Sequence, residues 1–240
     1  MLLEICASSY QSAINAQNAG ANRIELCSEL ALGGITPSYG LIKKVIENLS
    51  IPVHVLIRPR SGNFTYSEEE FEIIKTDIKL CKKLGCQGIV SGVLKADNTI
   101  DVIRTQELIE LSKPLSFTFH RAFDWIENSS DAVEQLIAIG ANRILTSGKK
   151  SSAQEGIVLL KELEIKAQNK LLIFPGGGIN SENVLTFKEA GFKEIHCSAS
   201  KIEYLKDEGK IPMNSSVFFN ENSIVHSDYD KIKNIVDLIR

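Results

Sequence analysis

The sequence of 240 residues lacks any long apolar run, and none approaches the roughly 18 residues that a membrane span requires. It also lacks an excess of basic residues, because 27 Lys and Arg stand against 30 Asp and Glu, giving a net charge of -3. This balance argues against nucleic acid or an anionic membrane as the main partner. Residues 1–6 carry neither a basic region nor a long apolar region, so we expect no signal peptide.

The sequence has few cysteines, and their number is odd. The five are Cys6, Cys27, Cys81, Cys86 and Cys197. The sequence contains no CxxC pair, no HExxH motif and no histidine-rich cluster, which excludes the usual structural zinc sites. An odd set of thiols without an export signal is typical of free cysteines in a reducing cytoplasm. Two of the five, Cys81 and Cys86, lie around the predicted end of a helix, and we interpret both as packing residues.

A short sequence motif recurs along the chain. The string Gly-Ala-Asn-Arg-Ile begins at Gly20 and again at Gly140, and weaker copies surround Gly85 and Gly191. Each glycine follows a helical pattern and suits the left-handed position that ends a helix, and a short apolar strand begins about four residues later. The intervals of 51 to 65 residues are about right for two strand–helix units each.

Four further strand-like runs lie between these copies, at residues 2–6, 52–57, 115–119 and 170–174. Amphipathic stretches follow the eight strands at 9–19, 37–48, 67–84, 99–112, 129–139, 153–168, 181–190 and 228–239, with Ser9, Ser67 and Ser181 as predicted N-caps. Strict alternation indicates parallel strands joined by helical crossovers. Eight such units favour a single-domain (β/α)8 TIM barrel over residues 1–240 rather than an open doubly wound sheet. Residues 206–222 form the longest irregular stretch, before the last helix.

Charged side chains are predicted to point into this barrel. The active sites of such barrels lie at the carboxyl ends of the strands. Strand alternation places Glu4 and Glu25 on the inner face. His120 ends the fifth strand, and its reference pKa near neutrality makes it the best acid–base candidate. We therefore predict Glu4, Glu25 and His120 as catalytic residues. The alternative is an internal ion network in which the two carboxylates bond to Arg58, Arg60 or Arg23.

A small-anion site is predicted at the same end of the barrel. Two arginines follow the third strand, and three consecutive glycines follow the seventh, where backbone N–H groups hold phosphate in many barrels. The alternative for the glycines is a tight turn, and His196 is equally consistent with a satisfied polar residue. The predicted anion-binding residues are Arg58, Arg60, Ser147, Gly176, Gly177, Gly178 and Ser198.

Cys6 and Cys27 end the first two strands, which lie about 4.8 Å apart when paired. Two thiolates at that spacing can hold a soft ion such as Cu(I), which prefers sulfur and accepts few ligands. However, inward residues of adjacent strands fall in different layers of a barrel, so the two sulfurs need not meet. The alternative is that both behave as small buried apolar residues.

Seven of these segments together carry a family resemblance, namely Glu4–Cys6, Arg23–Cys27, Gly33–Gly40, Ile57–Arg60, Thr118–Asp124, Ile144–Gly148 and Pro175–Gly178. Over residues 2–200 the chain resembles the CutC family, the copper homeostasis proteins. The resemblance implies a cytoplasmic TIM barrel that binds copper and often forms homo-oligomers, with Cys6 and Cys27 as the copper ligands. Cys197 stands where members of this family often have glycine, and the sequence offers no interpretation of this extra thiol.

Two functions follow from these observations. The first is copper homeostasis, with Cu(I) as the metal-ion ligand of the two thiols. The second is an enzyme or binder for a small anionic or phosphorylated metabolite, in which Arg58, Arg60 and the glycines hold the anion. In that case Glu4, Glu25 and His120 carry out proton transfer. Carboxylates and arginines inside a barrel suit the second function, and the family resemblance favours the first.

Overall fold

The computed structural model describes residues 1–204 and 222–240. Eight parallel strands form one sheet in which each strand pairs with its sequence neighbours and β1 pairs with β8. A parallel bridge between Gly176 and His196 joins the remaining edges, β7 and β8. The predicted (β/α)8 barrel is therefore confirmed. The strands are β1 Leu2–Ala7, β2 Arg23–Leu26, β3 Val53–Leu56, β4 Gly88–Ser91, β5 Ser116–Phe119, β6 Arg143–Thr146, β7 Leu172–Pro175 and β8 Glu194–Cys197.

Within the described residues eight α-helices accompany the strands, at α1 Tyr10–Ala19, α2 Tyr39–Ile46, α3 Glu68–Leu84, α4 Val102–Ser112, α5 Ser129–Ala138, α6 Ile157–Ala167, α7 Val184–Glu189 and α8 Tyr229–Ile239. Ser9 caps α1 and Ser67 caps α3, as predicted, and Glu70 completes a capping box with Ser67. The prediction for Ser181 is wrong, because α7 begins at Val184 after Asn183. Gly20 ends α1 at φ 93°, in the left-handed region that glycine tolerates.

The apolar residues divide between two layers according to strand alternation. Leu3, Ile5, Ile24 and Leu26 are fully buried in the large cluster between the sheet and the helices. Burying each such side chain stabilises the fold by about 1.5–3 kcal/mol. A second, small cluster joins Cys6 and Cys27 to Leu56 and Val90. The alternation thus keeps this inner group apart from the helix-facing core.

After β8 the chain forms an antiparallel pair that the sequence analysis did not predict, β9 Ser200–Tyr204 and β10 Ser223–Ser227. Ser227 links this pair to the barrel, because its N–H donates to Ser12 Oγ at 3.0 Å and its hydroxyl donates to the Cys6 carbonyl at 3.2 Å. The predicted irregular stretch 206–222 lies outside the described residues except for Asn222. Among the helices of the described chain, none is long and apolar enough to span a membrane.

Candidate functional site

A cavity of about 420 Å³ lies where the strands end. Its walls come from the last residues of the strands and from the loops that follow them, which is the end of the barrel where chemistry was predicted. The structure brings seven of the predicted site residues to this cavity: Cys6, Glu25, Arg58, His120, Gly177, Gly178 and Ser198. Five others, Glu4, Cys27, Arg60, Ser147 and Gly176, do not line it.

The two predicted metal-binding cysteines are in contact with each other, and Cys6 lines the cavity. Their Sγ atoms are 3.5 Å apart, and both side chains are buried. The thiol of Cys6 also donates to Glu25 Oε1 at 3.7 Å. The hydrogen bond with Cys27, together with burial, holds the pKa of the Cys6 thiol well above its usual range. The Cys6 thiol is therefore protonated, and its sulfur is in contact with that of Cys27.

The carboxyl group of Glu25 uses only part of its hydrogen-bonding capacity. Its side chain is buried, and Oε2 has no hydrogen-bond partner among residues 1–204 and 222–240. Burial raises the pKa of Glu25 to about 7, even though His196 opposes the shift. Glu25 can therefore both accept and release a proton near neutral pH, which is what a general acid or base requires.

His196 lies on β8 beside these groups. Ligand atoms of Cys6, Glu25 and His196 all lie within 4.8 Å of one another. The Nδ1 atom of His196 is 2.8 Å from Glu4 Oε1. Burial alone would lower the pKa of His196, but the carboxylates of Glu25 and Glu4 raise it above its usual value. The structure thus assembles sulfur, oxygen and nitrogen donors at one point of the barrel mouth.

Glu4 takes part in an ion network beneath the cavity. It pairs with Arg23, and His54 Nδ1 lies 3.8 Å from its Oε2. Arg23 Nη2 in turn lies 2.6 Å from Glu194, which also faces Arg143 at 3.4 Å. Burial opposes ionisation of Glu4, yet Arg23 and its other partners hold its pKa well below its usual range. The ion network considered in the sequence analysis thus exists for Glu4, with Arg23 rather than Arg58 or Arg60 as its partner.

His120 stands in the opposite wall as a neutral imidazole. Burial, with a further contribution from Arg58, lowers the pKa of His120 to about 3. Its Nδ1 accepts a hydrogen bond from the Ala122 N–H at 3.3 Å, so the ring proton resides on Nε2. That Nε2 atom is buried and finds no partner in the described part of the chain. At neutral pH His120 therefore offers an N–H donor to the cavity.

The two arginines predicted to bind an anion are largely engaged elsewhere. Arg58 donates to the carbonyls of Leu32 and Gly34 at 2.9 and 3.0 Å, and so braces the loop after β2. Arg60 pairs with Glu70 at 2.5 Å, outside the cavity. Arg58 thus contributes to the shape and charge of the cavity, and Arg60 contributes to the start of α3.

Three residues after β5 complete the site and were not among the predicted catalytic, anion-binding or metal-binding residues. Asp124 accepts hydrogen bonds from Thr146 Oγ1 at 2.5 Å and from the Ser147 N–H at 3.1 Å, which ties the loop after β6 to that after β5. Arg121 Nε lies 2.8 Å from Asp124, and both residues line the cavity with Trp125. Their sequence position could have identified them, because the segment Arg121–Trp125 directly follows His120 at the carboxyl end of β5, where the active-site residues of barrels lie.

The glycine loop after β7 contributes Gly177 and Gly178 to the cavity, at φ 114° and 73°. Gly176 instead forms the bridge to His196, and a Cβ there would lie 2.6 Å from Leu145 Cδ1. The Ser147 hydroxyl donates to the Lys150 carbonyl at 2.6 Å rather than facing the cavity. Close packing and left-handed backbone therefore account for these glycines.

Comparison with known proteins places the chain in a family. The model of the CutC family matches residues 1–201. A mouse protein named copper homeostasis protein cutC homolog is 45% identical over 229 residues, covering 95% of this chain and 83% of its own length. A family protein CutC of Parabacteroides distasonis is 45% identical, covering 97% of this chain and 98% of its own length.

A solved structure agrees with these relatives. The crystal structure of a CutC protein from Streptococcus agalactiae superposes with a TM-score of 0.79 at 36% sequence identity, and the match covers 82% of this chain and 98% of that chain. An aldolase matches at 16% identity with a TM-score of 0.63, which shows the barrel fold alone. The chain belongs to the CutC family.

Proposed function

We propose that the protein binds Cu(I) between Cys6 and Cys27 and serves copper homeostasis in the cytoplasm. The observation that carries the proposal is the 3.5 Å separation of the two sulfur atoms. Cu(I) prefers soft sulfur ligands and is satisfied by few of them. The names of the mammalian relatives, copper homeostasis protein cutC homolog, support this function.

The neighbouring side chains fit such an ion. The ring of His196 holds Glu4 through Nδ1, and metal-binding histidines commonly use one nitrogen for a carboxylate and the other for the metal. Glu25, beside the Cys6 thiol and with its pKa raised to about 7, can take up the proton that the thiol must lose. Because metal binding displaces thiol protons, the apparent affinity for Cu(I) rises with pH.

The test is a titration of reduced protein with Cu(I) against a competing Cu(I) chelator. Replacing both thiols in Cys6→Ser/Cys27→Ser should weaken binding by more than about 100-fold, since losing even an outer partner of a metal ligand costs about 10–100-fold. The matched control is Cys81→Ser/Cys86→Ser, which also removes two buried thiols but leaves the cavity intact. Unchanged affinity in the first double variant, or an equal loss in the second, would contradict the proposal.

A further inference from the structure

A copper ion would occupy only a small part of the cavity volume. A volume of about 420 Å³ lies within the range of about 300–1,000 Å³ that is typical of small-molecule sites. We propose that this cavity binds a small phosphorylated polyol, with the phosphate beside Arg121 and the glycine loop and the carbon chain directed toward Glu25 and His120. This inference goes beyond Cu(I) binding and does not depend on it.

The floor of the cavity presents polar atoms that need a partner. Glu25 Oε2 and His120 Nε2 are both buried, and within the described ranges neither has a hydrogen-bond partner. Arg58 Nε, on a third lining residue, is also buried without a partner in the described part of the chain. Buried polar atoms in folded proteins are almost always hydrogen-bonded, so three unsatisfied ones around a single cavity call for an explanation. A hydroxyl group can donate to Glu25, and a neighbouring oxygen can accept from His120. A polyhydroxylated carbon chain provides both.

Phe64 and Trp125 form an apolar wall of the same cavity. The Phe64 ring centroid lies 4.8 Å from that of His120 in a tilted arrangement, and Phe64 meets Trp125 edge-on at 5.0 Å. The Trp125 side chain is 49% exposed although it lines the cavity. An aromatic ring held by packing on one side and open on the other suits the C–H face of a ligand whose hydroxyl groups bond elsewhere. The wall thus fits a short carbon chain rather than a bare ion.

The rim carries the positive charge for the phosphate. Arg121 donates from Nε to Asp124 and from Nη2 to Ser147 Oγ, each at 2.8 Å, which fixes the guanidinium plane. Its third nitrogen, Nη1, has no hydrogen bond to the described residues and lies next to Gly177, where a Cβ would be 3.4 Å away. A held guanidinium with a free edge is well suited to an oxyanion. Arg121 therefore takes the role that the sequence assigned to Arg58 and Arg60.

The single tryptophan of the chain provides the readout, because Trp125 lines the cavity. Reduced, metal-free protein is titrated with glycerol 3-phosphate, ribose 5-phosphate and glucose 6-phosphate while Trp125 fluorescence is recorded. We expect saturable binding of at least one of them with a Kd below about 1 mM, equivalent to about 4 kcal/mol. Glycerol, which lacks the phosphate, and inorganic phosphate, which lacks the carbon chain, should each bind more weakly.

Variants identify the contacts. Arg121→Gln should weaken binding about 10-fold or more, the loss expected for a hydrogen bond to a charged group. Arg240→Gln removes the same charge at the far end of α8 and should leave binding unchanged. Glu25→Gln should weaken binding of the polyol phosphates while leaving any binding of inorganic phosphate unaffected.

Several outcomes would overturn the inference. They are the absence of saturable binding by all three phosphates, binding that Arg121→Gln and Arg240→Gln affect equally, and tightest binding of inorganic phosphate, which would indicate an adventitious ion only. The Cys6→Ser/Cys27→Ser variant should retain the fluorescence response. Its failure to bind Cu(I) and the failure of wild-type protein to bind phosphates are therefore separate results.

Discussion

The ion network beneath the cavity makes a quantitative prediction for Glu4. The side chain is 2% exposed, and both of its oxygens are used: Oε2 accepts from Arg23 and Oε1 faces His196 at 2.8 Å. In Glu4→Gln the side chain loses the negative charge that pairs with Arg23. Breaking a buried ion pair on one side costs about 3–5 kcal/mol because it leaves the other charge uncompensated. We expect a loss of this size from the free energy of unfolding.

The measurement is urea unfolding followed by far-UV circular dichroism, with Glu70→Gln as the matched control. Glu70 also pairs with an arginine, Arg60, but both side chains are more than a quarter exposed, and exposed ion pairs contribute little to stability. A double variant, Glu4→Gln/Arg23→Gln, should lose less than the sum of its single variants, since the two groups interact directly. If Glu4→Gln costs no more than Glu70→Gln, the network does not stabilise the fold and Glu4 is free for another role.

Two further predictions concern stability. Burial lowers the pKa of His54 and of His120 from 6.5 to about 3. Below about pH 6.5 both imidazoles are therefore protonated in the unfolded chain but remain neutral in the folded chain. The pKa of Glu25 is raised to about 7, so Glu25 releases a proton on unfolding and offsets the proton uptake of one histidine. The free energy of unfolding should therefore fall by about 1 kcal/mol per pH unit between pH 6 and 5. Urea midpoints that stay level or increase on acidification would contradict this. Gly34 has φ +86°, and a Cβ there would lie 2.6 Å from Leu56 Cδ2, so Gly34→Ala should destabilise by about 1–3 kcal/mol. In contrast Gly40→Ala, in the open helical position of α2, should stabilise by about 0.5–1 kcal/mol.

The fold follows from local signals that agree with one another. The recurring glycine marks the end of a helix because only a residue without Cβ adopts φ near 90° at little cost, as Gly20 and Gly85 do. The apolar strand that begins a few residues later has its direction fixed by the helical crossover. Where the signal was weaker the prediction failed: Ser181 resembles a cap, but the chain after it makes turns before α7 begins at Val184. The pair β9 and β10 lacks the short apolar runs of barrel strands.

The site shows what alternation along a strand can and cannot provide. Alternation correctly places Glu4 and Glu25 on the inner face, yet it does not distinguish the floor from the mouth. Glu4 lies opposite Arg23 in the β1–β2 register, and Arg23 neutralises its charge. Glu25 lies two register positions nearer the carboxyl ends of these strands, opposite Cys6. Similarly, the sequence shows that Arg58 is positively charged but not that loop carbonyls accept hydrogen bonds from its Nη1 and Nη2 atoms. Such partners come from tertiary packing, which a single sequence does not display.

Glu25 belongs to both proposed sites, and this has a consequence for their coupling. A Cu(I) ion held by two thiolates adds one net negative charge beside Glu25, whose Oε1 lies 3.7 Å from the Cys6 sulfur. That charge disfavours an anionic ligand in the same cavity, and it raises the pKa of Glu25 further, so the carboxyl group would be a donor rather than an acceptor. The two ligands should therefore weaken each other by the same factor, because coupling between binding free energies is reciprocal. Titrating Cu(I) with and without saturating polyol phosphate measures that factor, and affinities that do not change would show that the two sites act independently of Glu25.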